Sequence, residues 1–282
     1  MVTRGSVART TASRHQYAVG VSKLIPRESA PPAQEKVVVS RSGNTCAYPG
    51  CGLILTIESL ADGDRPKATG KVAHICAASP GGPRYDEAMT KQQRGSADNL
   101  IYLCGPHHDA VDAQLEQHTV EFLREAKRVH EAKVARGVRA GLGDVTYAEL
   151  SMVCMVLVGA REPLTAVQVD IALPVQQKIQ LNKLGPGTVE LITAGLSQAD
   201  RVASFIAFQS NWNPGFGKTL AARCKSDYYS AVADGLQPDE VFDYLVQRAW
   251  DNAGPQDTPQ LRAAALAVIA YLFEICEVFE RE

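Results

Sequence analysis

The sequence predicts an α+β protein in two unequal parts, a small Cys/His-bearing module followed by a mostly helical C-terminal half. Three observations carry this reading. Two turn-borne pairs, CAYPGC (Cys46, Cys51) and CGPH (Cys104, His107), flank 52 residues that must fold between them. KVAHICAA (Lys71–Ala78) reads as a strand within that interval. Beyond about Asp144 the apolar residues recur at helical period, with caps and proline starts.

Residues 1–35 are rich in Ser, Thr, Arg, Ala and Pro without periodicity and read as a mildly basic, mobile arm. The Cys/His module with its following helix takes residues 36–139. Inside it, SPGGPRYDEAMTKQQRGSADN reads as a long polar loop. A helix is expected to begin near Pro106. HTVEFLREAKRVHEAKVARGV reads as a charged amphipathic helix, with Thr119 as N-cap, Glu121 in its first turn, and Phe122, Ala126 and Val129 on its inner stripe. Three glycines in ARGVRAGLGD, about Ala135–Asp144, mark the expected domain boundary. A helical domain then occupies 145–282. Its last helix, TPQLRAAALAVIAYLFEICEVFERE, has Thr258 as N-cap, Pro259 at its first position and no breaker to the end. That helix is apolar on nearly every side, so it is buried in its own domain or leaves apolar area for a partner protein.

The composition, 45% hydrophobic and 21% charged over 282 residues, is that of a globular chain. No apolar run reaches the roughly 18 residues that span a membrane. MVTRGSVARTTASRHQYAVG lacks a signal-peptide core, so the expected location is the cytoplasm. Residues 1–140 carry 19 Lys+Arg against 14 Asp+Glu, and residues 141–282 carry 10 against 17. A basic half joined to an acidic half fits a polyanion-binding unit fused to a part with another role. Among seven cysteines, Cys154, Cys224 and Cys276 stand singly in apolar stretches and read as small buried hydrophobes.

The other cysteines carry chemistry. Cys46, Cys51, Cys104 and His107 offer three thiolates and an imidazole, a closed tetrahedral shell suited to structural zinc. The bland alternative leaves Cys46 and Cys51 as unligated loop thiols. A second site must use what remains: His74, Asn99, His108 and Asp112. His108 cannot point with its neighbour His107, but on a helix it shares a face with Asp112 at i+4. Phosphodiester hydrolysis needs a base for water, a group that holds the base, and a cation on the phosphate.

Taken together, CAYPGC … VAHI … GGPRYD … NLIYLC-x-x-H-H … HTVEFLREAKRVHEAKV resembles a zinc-bound HNH endonuclease module, the ββα-metal fold, over roughly residues 37–136. The resemblance implies that His74 is the general base, that Asn99 fixes the base's loop, and that His108 binds the catalytic divalent metal. It implies DNA as substrate. Two departures stand out. His107 replaces the second cysteine of the second knuckle. Ala73 stands where many relatives have a metal-binding Asp, so a catalytic Mg²⁺ or other divalent ion would rest on His108, Asp112, substrate phosphate and water. Arg84 in GGPRYD is a candidate phosphate contact, or else a solvated loop residue. Cys76 shares a strand face with His74 and is expected to pack near the site, and His118 and His130 are expected on the helix surface. The opposing reading is a zinc-stapled nucleic-acid-binding or scaffolding module with degenerate chemistry.

Two features remain in the C-terminal half. WNPGFGKTL imitates a phosphate-binding loop, but Trp212 occupies the first Gly position and no strand precedes it, so a helix N-terminus is expected. The run KIQLNKLGPGTVELITAGLSQADRVASFI … FGKTLAARCKSDYYSAVADGLQPDEVFDYLVQRAW is similar to effector C-terminal domains of bacterial ABC three-component conflict systems. That resemblance implies anti-phage or anti-plasmid defence, with docking to an SMC-like ATPase complex. A second copy of the chain is the other expected partner.

Overall fold

Helix α1 (Pro32–Arg41) comes first in the computed structural model, which describes residues 29–57, 67–159, 172–251, 253 and 258–280. The expected arm lies outside the described residues up to position 28. From Pro32 onward it is helix instead, because a proline at the first position is preset for helical φ and Val37 and Val38 are both fully buried. Strands β1 (Thr56–Ile57) and β2 (Lys67–Ala68) form a short antiparallel pair. Strands β3 (Lys71–His74) and β4 (Leu100–Leu103) form another, with His74 opposite Leu100 and Val72 opposite Tyr102.

The strand expected over Lys71–Ala78 stops at His74, because the Asn99 side chain takes both backbone groups of Cys76 in place of a ladder partner. The expected polar loop contains helix α2 (Lys91–Gly95) and a 3₁₀ turn at Ala97–Asn99. Thr90 and Gln93 close a reciprocal cap at the start of α2. Helix α3 (Gly105–Ala113) begins beside Pro106 as expected. Helix α4 (Val120–Gly141) starts at Thr119, whose Oγ1 accepts from Phe122 N at 3.2 Å.

The inner stripe of α4 differs from the expected one. Leu123, Ala126 and Lys127 are buried, whereas Val129 is half exposed and Phe122 only partly covered. The cause is tertiary, since α4 is covered by the Cys/His module along its first turns and by the last helix along its later ones. It also runs on through Gly137 and ends in a 3₁₀ turn at Leu142–Asp144, so the glycines do not break it where expected. Gly141 has a packing reason: a Cβ there would lie 3.1 Å from Pro259 O.

The second half comprises α5 (Tyr147–Gly159), α6 (Val175–Leu181), α7 (Pro186–Leu196), α8 (Ala199–Ser210), α9 (Phe216–Ala233), α10 (Pro238–Trp250) and α11 (Pro259–Ile275). Thr258 caps α11 through Leu261 N, as expected. This helix is the axis of the domain, with α4, α5, α7, α8 and α10 packed around it. Its alanines allow close approach. At Gly195 on α7 a Cβ would meet Ala270 Cβ at 2.6 Å and Leu266 O at 2.9 Å, so only glycine fits there.

The chain's own helices therefore cover most of α11, the first of the two expected outcomes for this helix. The helix also stops before the C-terminus. Buried Lys178 donates to Phe273 O at 2.7 Å and to Cys276 O, satisfying the orphan carbonyls of the last turn. Cys154, Cys224 and Cys276 are buried as expected. Helix α9 starts at Phe216 directly after a turn from α8, so GFGKT is a helix start. No single described helix is long and apolar enough to cross a membrane.

The two parts share a core. Ala33 and Val37 of α1 and Ala97 belong to the apolar cluster built around α11, while a smaller cluster surrounds the Cys/His turns. Arg41 bridges both parts, bonding Asp98 at 3.0 Å and Asp243 of α10 at 2.7 Å. Burial pushes the Asp243 carboxyl up, against the pull of Arg41.

Candidate functional site

Positive φ at Gly50 (+78°) and Gly52 (+61°) folds CAYPGC into a tight turn that only glycine takes without strain. Cys46 N donates to Leu53 O at 2.9 Å and Cys51 N to Tyr48 O at 3.0 Å. The second turn is the start of α3, with Cys104 at the N-cap and His107 in the first turn. Ala47 N bonds Tyr102 O at 2.9 Å, drawing the two turns together.

The Sγ atoms of Cys46, Cys51 and Cys104 and a ring nitrogen of His107 all lie within 4.8 Å of one another. Nδ1 of His107 is 3.1 Å from Cys104 Sγ and 3.6 Å from Cys46 Sγ. Tetrahedral zinc with ordinary Zn–S and Zn–N lengths sets S···N edges of about 3.6 Å. The donor set, its spacing and its burial fit zinc, and this Cys₃His cluster can hold such an ion. Burial pushes the Cys46 thiol up to about 12, so its thiolate form needs a cation beside it. Cys104 N points at Cys46 Sγ at 3.3 Å, as backbone donors around bound thiolates do.

Around the cluster stand two histidines that were expected on the surface. Tyr48 stacks on His107 with ring centroids 3.9 Å apart and planes 4° from parallel. His118 is buried, its Nδ1 3.0 Å from Gln114 O and its Nε2 3.1 Å from Tyr48 Oη. A carbonyl accepts only, so Nδ1 carries the proton and Nε2 accepts from the tyrosine hydroxyl. His130 Nε2 lies 3.0 Å from Ser42 O and 3.2 Å from Thr45 Oγ1, tying α4 to the turn that precedes Cys46. Both are structural, a correction to their expected exposure.

Beside the cluster opens a cleft of about 570 Å³ whose walls include Glu35, Ala73, His74, His108, Asp112 and the turn Pro80–Pro83. His74 stands at the end of β3 and His108 in the first turns of α3, so the topology brings both imidazoles to one opening. Asn99 lies behind it, fully enclosed. Its Oδ1 accepts from Cys76 N at 3.0 Å, and its Nδ2 donates to Cys76 O and Arg94 O, both at 2.8 Å. It thereby fixes the backbone two residues after His74. Cys76 is buried beneath this clamp.

Arg84 is placed differently from expectation. Arg84 is buried, with Nε donating to Ile75 O at 2.7 Å, Nη1 to Val111 O at 2.6 Å, and Nη2 to Asp112 Oδ1 at 3.1 Å. The guanidinium is a clamp between the His74 loop and α3, in place of the expected phosphate contact. Asp112 serves as its counter-ion through Oδ1 and also lines the cleft beside His108, where a metal ligand was expected. The residue beside His108 that sequence reasoning missed is Asp109, whose Oδ1 is 3.3 Å from His108 Nδ1. A hydrogen bond from Lys71 at 3.2 Å, ahead of the one with His108, holds the Asp109 carboxyl below its usual range. The signal was present in HHD; spacing favoured the i+4 aspartate over the adjacent one.

Comparison with known proteins bears on the helical half. Residues 149–280 match C-terminal domain 10 of the ABC-three component (ABC-3C) systems. This stretch, α5 to the end of the described chain, is thus similar to a domain of multi-component systems, in agreement with the resemblance read from its sequence. No curated protein matches the chain.

Proposed function

We propose that the chain is a metal-dependent HNH-type endonuclease that hydrolyses phosphodiester bonds in DNA, serving as the nuclease effector of an ABC-3C defence system. The observation that carries this reading is the shared cleft of His74 and His108, with Asn99 clamping the segment that follows His74. The His74 imidazole takes a proton from the attacking water. Asn99 keeps that ring in place through the Cys76 backbone. Asp109 engages Nδ1 of His108, which leaves Nε2 as the ring nitrogen for a metal ion. A divalent ion held by His108 would stabilise the charge developing on the phosphate. The Cys46/Cys51/Cys104/His107 cluster with zinc acts as a staple, because all four positions are filled by protein. The excess of Lys and Arg in residues 1–140 favours a polyanion. Similarity of residues 149–280 to an ABC-3C domain supports docking to the other components, an SMC-like ATPase among them.

The test is nicking of supercoiled plasmid in Mg²⁺ or Mn²⁺ by wild type and His74→Ala, both assayed for zinc and thermal melting. The expected result is one zinc per chain in each, unchanged melting, and a loss of cleavage of about a hundredfold or more. Equal cleavage by the variant removes His74 as the base. A zinc-loaded wild type that binds DNA without cutting it supports the second reading, a degenerate scaffold, which Ala73 and the engagement of Asp112 by Arg84 favour.

A further inference from the structure

Helix α1 has two working faces. Ala33, Val37 and Arg41 turn toward the helical domain, where the first two enter its core and Arg41 pairs with Asp243. Val38 turns the other way, packing with Ala30 and Leu100 against Val72. Glu35 precedes Val38 by three positions and so shares that second face. Leu100 is the cross-strand partner of His74, and Val72 is two residues before it on the same side of β3. Glu35 is thereby set into the wall of the cleft that holds His74 and His108.

Two carboxylates line that cleft, Glu35 and Asp112. Asp112 is bonded to Arg84. Among the described residues no hydrogen bond or ion pair is made by the Glu35 carboxylate, and burial alone pushes it above the usual carboxylate range. A partly buried carboxylate with no protein partner keeps its oxygens available to a cation in the cleft. His108 lines the same cleft, its Nδ1 3.3 Å from Asp109 Oδ1. An imidazole and a carboxylate that line one cleft offer a nitrogen and an oxygen donor of the kinds that a hard or borderline divalent ion such as Mg²⁺ or Mn²⁺ takes.

We propose that Glu35, on the helix that precedes the Cys/His module, is the protein carboxylate of the divalent-cation site, in the role that Ala73 cannot fill. This rests on the nuclease reading for its purpose, though not for its test. Because α1 is also bound to α10, the cation site is completed by an element that the helical domain holds in place. A partner that shifts α10 would then move a metal ligand.

The experiment uses the full-length, zinc-loaded protein and Mn²⁺ as the probe, with bound ion followed by electron paramagnetic resonance. Wild type, Glu35→Gln, Glu35→Asp and His108→Ala are titrated in parallel, and each is nicked against plasmid over a range of Mn²⁺. Glu35→Gln keeps shape and removes charge, so zinc content and melting are expected to persist. Its Mn²⁺ affinity is expected to fall about tenfold or more, the lower end of what even outer-shell partners contribute. His108→Ala is expected to lose a comparable amount, Glu35→Asp to fall between, and cleavage by Glu35→Gln to recover at higher Mn²⁺. Mn²⁺ binding by Glu35→Gln equal to wild type overturns the proposal even if the enzyme cuts DNA. Weakened Mn²⁺ binding in a protein that never cuts DNA keeps Glu35 as a ligand and removes the nuclease reading.

Discussion

Arg84 sits at φ +54°, in the left-handed region that residues with a side chain rarely adopt, at a cost of about 1–3 kcal/mol. What holds it there is the fork of its guanidinium, which meets the carbonyls of Ile75 and Val111 and the Asp112 carboxylate from three directions. Arg84→Ala would take the donor from the Ile75 and Val111 carbonyls and the charge partner from Asp112, so a loss of about 1–3 kcal/mol in urea denaturation of the zinc-loaded chain is expected. Arg84→Lys should recover little, because an ammonium cannot bond in three directions at once with the same reach. Unchanged stability with weakened DNA binding would instead return Arg84 to the phosphate-contact role. The contrast with Cys46 and Cys51 shows what a sequence encodes at this scale. Donors within one tight turn are legible because spacing alone brings them together. The Arg84–Asp112 pair spans 28 residues, and only the packing of the His74 loop on α3 makes it. Likewise, whether Asp109 or Asp112 serves His108 depends on the helix's rotation against its neighbours.

At the scale of elements, starts were legible and extents were not. Thr119, Thr258 and Pro106 act within one turn, and each marks its helix as read. The stripe of α4 was misplaced because two separate bodies cover it, and its glycines were misread because α11 supports that stretch from outside. His130 shows the consequence. Burial pushes its imidazole below the ordinary value of 6.5, while its Nε2 donates to Ser42 O. Between that lowered value and 6.5 the unfolded chain holds a proton that the folded one does not. The stability it contributes is therefore complete above about pH 6.5 and is lost as pH falls through the window. His130→Gln keeps a donor for Ser42 O without the titration. Its melting temperature is expected to lie below wild type at pH 7.5, with the gap narrowing toward pH 5.5. Parallel melting curves across that range would remove His130 as the source of the pH dependence.

For the whole molecule, the boundary read at Ala135–Asp144 implies two units that could be separated. The contacts imply otherwise. Helix α1 lies before the Cys/His module yet buries Ala33 and Val37 in the helical core, and α4 leaves the module only to pack on α11. Burying one valine contributes about 1.5–3 kcal/mol, and the Arg41–Asp243 and Gln34–Glu240 bonds add orientation at the same seam. A fragment ending at Asp144 would expose the inner face of α1 and the later turns of α4 together. The two halves are thus expected to unfold as one cooperative unit. Zinc release, read with a colorimetric chelator, should share its urea midpoint with the loss of helical circular dichroism. Asp243→Asn, which removes the α10 carboxylate from Arg41 and leaves Asp98 as its ion-pair partner, should move both midpoints down together. If zinc release and helix loss separate, or Asp243→Asn shifts only one of them, the module and the helical domain are independent, and a partner acting on α10 has no structural route to the cleft.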